Sequence, residues 1–244
     1  MRFLKTAILR IAAASALLFA AYAALLNLPY PFFSYSVRAG SLILHSDQPI
    51  SAAPAKHVLE MADAKLKTSP LYLPQSDHDI FICNARWRQM LFFNKHYGAG
   101  GVAPYPLTGH VFLRDASIPD NRLISPGGSP VAGDRTLDSF IAHEVAHQLT
   151  GRAIGPLRFY LLPQWAREGY ADYVGKGASF DYNQSRRAFL AGAAEMDFKR
   201  SGLYSRFHLL AACLLDHQHW TVLRLLQHPP SQAAAEAAVR NEKP

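Results

Sequence analysis

Apolar residues stand four apart at Leu137, Ile141, Val145 and Leu149, and no proline or glycine interrupts them before Gly151. This spacing predicts a helix with the stripe as its buried face, started by Asp134 or Thr136 and stopped at Gly151. A second helix is expected in LPQWAREGYADYVG, between a starting Pro163 and a stopping Gly175. Upstream, Val58, Met61, Ala62 and Leu66 give residues 54–67 helical spacing, whereas the short apolar runs 41–45, His78–Cys83 and 109–113 predict strands. Gly98, Gly100 and Gly101 mark a loop between the second and third of these. Residues 115–134 are rich in Pro, Gly, Ser and Asp and too long for a tight turn, which makes them a lid or a surface loop. After Gly175 the pattern is helical, over 184–196, 203–216, 220–227 and 231–240.

The longest apolar run is 11–28, broken only by Ser15 and Asn27 and preceded by Arg2, Lys5 and Arg10. Basic flanks stay on the cytoplasmic side, so the N-terminus is expected inside and everything after Leu28 outside. Ala21 and Ala23 form an A-x-A site, which allows a cleaved signal peptide and a secreted or periplasmic product. The apolar character continues past Ala23 to Tyr30, Phe32 and Phe33, residues suited to the membrane interface, and this favours a single-pass anchor.

At 244 residues and 50% hydrophobic composition the chain suffices for one sizeable domain behind that segment. Its formal charge of +7 falls to +4 without Arg2, Lys5 and Arg10, and no dense basic run stands beside aromatic residues. No nucleic-acid partner is therefore expected. Cys83 and Cys213 sit in apolar contexts, IFIC and LLAACLL, that suit core filler, although an exported pair can also form a disulfide.

Chemistry concentrates in HEVAH. His143 and His147 leave one face of the expected helix and can converge on a single cation, with Glu144 beside the first of them as a base. A catalytic zinc bound by two histidines wants a third protein ligand and one open position. Glu168 lies twenty-one residues past His147, with Asp172 one turn further on the same face as Trp165, while Gly169 leaves room for a close helix.

HEVAH followed by WAREGYAD resembles the gluzincin metallopeptidases, the thermolysin-like and aminopeptidase-N-like group, closely over residues 134–175. The resemblance implies His143, His147 and Glu168 as Zn2+ ligands, Glu144 as general base, and Asp172 as partner of a ligand histidine. Trp165, Glu168, Gly169 and Ala171 resemble the aminopeptidase-like branch, but Arg167 stands where that branch often carries an asparagine that helps to hold the substrate amine.

The implied fold is α+β and zincin-like: an N-terminal mixed-sheet lobe, a C-terminal helical lobe and the metal helix between them. Residues 1–33 form the anchor or signal and 34–244 the metallopeptidase-like domain. In such folds a strand edge near the metal helix pairs with extended peptide, for which Gly109, His110, Val111 and Phe112 are the candidates. An oxyanion donor is expected from the helical lobe, either Tyr204 or His208. The expected activity is hydrolysis of a peptide or protein substrate outside the membrane. The competing expectation is a non-catalytic binding module at the cell envelope, and Glu144, which a closed structural site would not need, argues for the enzyme.

Overall fold

The computed structural model describes residues 2–131, 133 and 135–242, with side chains from Lys5 onward. Asp134, one of the two expected helix starters, lies outside them.

The chain begins with α1, Arg2–Asn27, of which Lys5–Asn27 is long and apolar enough to cross a membrane or to act as a signal sequence. Its last turns are bolted to the rest of the molecule. Leu26 and Phe33 are buried among Phe81, Phe92, Phe93 and Phe112, with Tyr22 and Leu25 packed alongside. Thr108 Oγ1 and His110 Nδ1 both donate to the Leu26 carbonyl, at 3.1 and 2.9 Å, and Asn27 Nδ2 donates to the Leu107 carbonyl at 2.8 Å. Phe33 is thus core rather than interfacial, because the chain folds back from α1 onto an aromatic sheet face. Tyr30 stays exposed, and its hydroxyl meets His110 Nε2 at 3.2 Å.

Five strands form one mixed sheet: β1 (Tyr35–Ala39), β2 (Leu42–Ser46), β3 (His78–Cys83), β4 (Gly101–Val102) and β5 (Val111–Arg114), in the order β1-β2-β3-β5-β4. β2, β3 and β5 run parallel through the middle, with antiparallel edges. Alternation along each inner strand splits two apolar sets between the faces. Leu44, Ile80, Ile82, Val111 and Leu113 join the main core, and Phe81, Cys83 and Phe112 face α1 and α3, Arg86–Phe93. β5 therefore has neighbours on both sides, and the expected edge over Gly109, His110, Val111 and Phe112 is corrected: the edge strand is β4. His110 instead binds α1.

Against the main-core face pack α2 (Ala52–Leu66) and α4 (Leu137–Ile154). A small hairpin, β6 (Ala116–Ser117) with β7 (Arg122–Leu123), precedes α4. α4 is started by its neighbours. The Asn121 carbonyl accepts from Leu137 N at 2.9 Å, the Asn121 side chain pairs with Asp138 in both directions, and Lys65 Nζ lies 2.7 Å from Asp138. Thr136 occupies the N-cap position without a side-chain cap bond.

Then come α5 (Pro156–Leu161) and α6 (Gln164–Lys176), followed by the helical part: α7 (Tyr182–Leu190), α8 (Phe198–Ser201), α9 (Ser205–Ala212), α10 (Val222–Gln227) and α11 (Gln232–Asn241). The expected helix 184–196 is interrupted after α7, where Gly192 at φ 67 turns the chain. Gly151 and Gly175 do not stop their helices. Each lies inside one, where a Cβ would stand 2.4 Å from the Tyr105 ring or 2.9 Å from the Ser139 carbonyl; Gly155 and Gly177 end α4 and α6 instead. Cys83 and Cys213 are free and buried.

Gly169 lets α6 approach α9 as expected, since a Cβ there would stand 2.4 Å from the Phe207 carbonyl oxygen. Backbone cannot swing aside as a side chain can. Gly169→Ala is expected to destabilise the fold by about 1–3 kcal/mol, the range for overpacking, read as a lower denaturant midpoint at unchanged slope. An unchanged midpoint would mean that α6 and α9 are further apart.

Candidate metal centre

α4 and α6 bring His143, His147 and Glu168 together, all buried, with one donor atom from each lying within 4.8 Å of the others. His143 Nε2 is 3.4 Å and His147 Nε2 3.3 Å from the same oxygen, Glu168 Oε2. Two imidazoles and a carboxylate converging in a buried space form a group that can hold a metal ion. The donor set fits that assignment: two histidines one helix turn apart plus a facing carboxylate aim nitrogen and oxygen inward, and buried polar groups need partners. Imidazole nitrogens with one carboxylate oxygen suit borderline transition metals better than calcium or magnesium.

Burial and charge pull against each other here. Burial raises the Glu168 carboxyl, but the adjacent His147 and His143 outweigh it and hold it well below the usual carboxylate range. Burial lowers His143, and its hydrogen bond with Glu168 together with the nearby carboxylates more than reverses the shift. Glu144 is raised, by burial first and by the Glu168 charge, against the opposing histidines. Its side chain reaches toward β4: a Cβ on Gly101 would stand 2.8 Å from Glu144 Cγ and Oε1. The edge strand thus needs a glycine where the Glu144 side chain approaches it.

Behind His143, Asp172 Oδ1 lies 3.8 Å from Nδ1, the ring nitrogen turned away from the cluster. Burial would raise Asp172, yet the hydrogen bond from His208 and the charges of Lys176 and His143 hold it at about 2. An ionised Asp172 only accepts, so His208 Nδ1, 3.1 Å from Oδ2, carries the proton. His208 itself is lowered, mainly by burial, and stacks on Phe180 with ring centroids 3.6 Å apart. The structure separates the two candidate oxyanion donors in this way. His208 is corrected to a support for Asp172, whereas Tyr204 stacks on His143 at 5.8 Å and 10° and so borders the cluster. Burial and the charges of Glu168 and Glu144 raise the Tyr204 hydroxyl, which keeps it protonated.

Asp172→Asn is expected to weaken metal affinity about 10 to 100-fold, the usual effect of an outer partner, with the fold retained. Competition against a fluorescent chelator checks this. Affinity equal to that of the unaltered chain would mean that Asp172 serves only His208 and Lys176.

Three neighbours have contacts that the sequence does not announce. Arg167 Nε donates to Glu168 Oε1 at 3.2 Å and its guanidinium lies 5.9 Å from the Phe159 ring, so this residue orients the Glu168 carboxylate. Phe159 meets His147 edge-on at 6.2 Å. Arg135 lies over Phe140 at 4.4 Å, and its charge opposes the upward shifts of Glu144 and Tyr204. No protein family, curated protein or solved structure matches the chain. The class that fold and site define is therefore an α+β protein with a candidate metal centre and one N-terminal apolar helix.

Proposed function

We propose that this chain is a zinc-dependent peptide hydrolase of zincin-like architecture, held in a membrane by α1 with the metal centre on the extracytoplasmic side. The observation that carries the reading is the pair of distances around Glu168 Oε2, 3.4 and 3.3 Å to the two histidine nitrogens. Ligand atoms about 2.0–2.1 Å from a tetrahedral zinc stand about 3.4 Å apart. Glu144 supports hydrolysis over a structural site, since it neighbours the set without belonging to it. Arg2, Lys5 and Arg10 ahead of the apolar run support the orientation.

His143, His147 and Glu168 would hold the zinc, which when bound supplies Lewis acidity toward a water and the scissile carbonyl. Glu144 takes the proton from that water and passes it to the leaving amine. Tyr204, protonated and bordering the set, donates a hydrogen bond to the carbonyl oxygen as it gains charge. An extended peptide pairs with the free side of β4, which runs past Glu144 at Gly101.

The test uses the full chain in detergent with a fluorogenic peptide library. One zinc per chain and hydrolysis that is lost on chelation and restored by zinc are expected. A chain without metal, or hydrolysis indifferent to chelator, would overturn the proposal; zinc without hydrolysis would favour the envelope binding module.

A further inference from the structure

The sequence distributes its acids unevenly. None of the 18 Asp and Glu residues falls within residues 1–46, 84–114 or 145–167. The fold gathers parts of these three segments at one end of the sheet. Asn27 of the first donates to the Leu107 carbonyl of the second. Tyr105, two residues earlier, donates to the Gly151 carbonyl of the third at 2.9 Å and meets Phe159 edge-on at 5.2 Å. The Arg152 guanidinium lies beside Gly109, 3.5 Å from where its Cβ would be.

This end exposes apolar residues next to the root of α1. On α5, Leu157 is 71%, Tyr160 80% and Leu161 67% exposed, and beside them lie Leu107 at 39% and Leu28 at 66%. Soluble surfaces rarely leave such a cluster uncovered. α5 keeps only Phe159 inward, against Tyr105 and His147. Exposed Arg152 and Arg158 flank the cluster, and the two carboxylates at the nearby start of β3 are both taken up, Asp77 by Arg38 at 2.6 Å and Asp79 by His45 at 2.7 Å.

We propose that α5 and the loop around Leu107 rest in the headgroup layer of the bilayer that α1 enters, with anionic phospholipid as the partner. The inference rests on the membrane reading of α1, and continuity supports it: the loop that holds the end of α1 through Leu107 and Thr108 also holds α5 through Tyr105 against Phe159. Leucine and tyrosine side chains enter the interface while the arginines meet phosphate, the combination that places amphipathic segments on anionic membranes. Because α5 joins the two ligand-bearing helices, the metal centre then faces substrate at the membrane surface rather than in bulk solution.

The experiment reconstitutes the full chain in vesicles of phosphatidylcholine with phosphatidylglycerol. Spin labels are placed singly through Leu157→Cys, Tyr160→Cys, Leu161→Cys, Leu17→Cys and Lys199→Cys, the native cysteines being buried. Collision with oxygen, which concentrates in lipid, is compared with collision with a water-soluble nickel chelate. Labels on α5 are expected to show a several-fold higher oxygen-to-nickel ratio than the label at exposed Lys199. With Leu17 in lipid, an α5 ratio equal to that at Lys199 overturns this proposal alone. Protection of α5 from both reagents, with dipolar broadening, means that a second copy covers it and also overturns the proposal. Failure of the chain to float with vesicles overturns the membrane reading of α1 along with it.

Discussion

Glu144→Gln is expected to lower peptide hydrolysis by about 10² to 10⁴-fold, the usual contribution of a general acid–base group, while leaving bound zinc at one per chain. The amide keeps the shape that Gly101 accommodates and cannot accept a proton from water. It also removes a buried carboxylate whose ionised form is disfavoured by burial and by Glu168, so the folded protein should not lose stability. Metal stoichiometry and turnover must be measured on the same preparations. Zinc lost from the variant would make Glu144 a structural residue, and turnover retained at the wild-type rate would remove the base from the mechanism.

Glu168→Ala has the opposite signature. The carboxylate is the only donor that α6 adds to the two histidines of α4, so its removal should strip the metal and abolish chelator-sensitive hydrolysis together. Arg167 loses the partner of its Nε at the same time. Glu168→Gln separates the two effects, since the neutral amide still offers an oxygen to Arg167 but is a poor zinc ligand. Elemental analysis of both variants decides the matter: zinc held at full occupancy by Glu168→Ala would show that the three-donor cluster is not the metal site.

How far these residues were legible in the sequence follows from the range over which each is determined. The two-helix spacing of His143, His147 and Glu168 is local, and period-3.6 geometry brings the histidines onto one face wherever the helix sits. The strands β2, β3 and β5 announce themselves by near-continuous apolar runs because both faces are covered. β1 escaped because YSVRA lies at an edge and exposes most of its side chains. Gly151 and Gly175 look like helix stops to any local rule; what they accommodate, Tyr105 and the Ser139 carbonyl, comes from distant parts of the chain. The same holds for His208, whose spacing from Tyr204 gave no hint that Asp172 would claim it.

The start of α4 is held by Asn121 and Lys65, both from outside the helix. Chains emerge from the ribosome N-terminus first and fold in that order where they can. Both holding groups therefore precede the first histidine during synthesis, and the scaffold that starts the helix is present before any donor is. Glu168 comes last of the three along the chain, so the donor group is complete only once α6 has packed against α4, and helix docking and assembly of the site are one event.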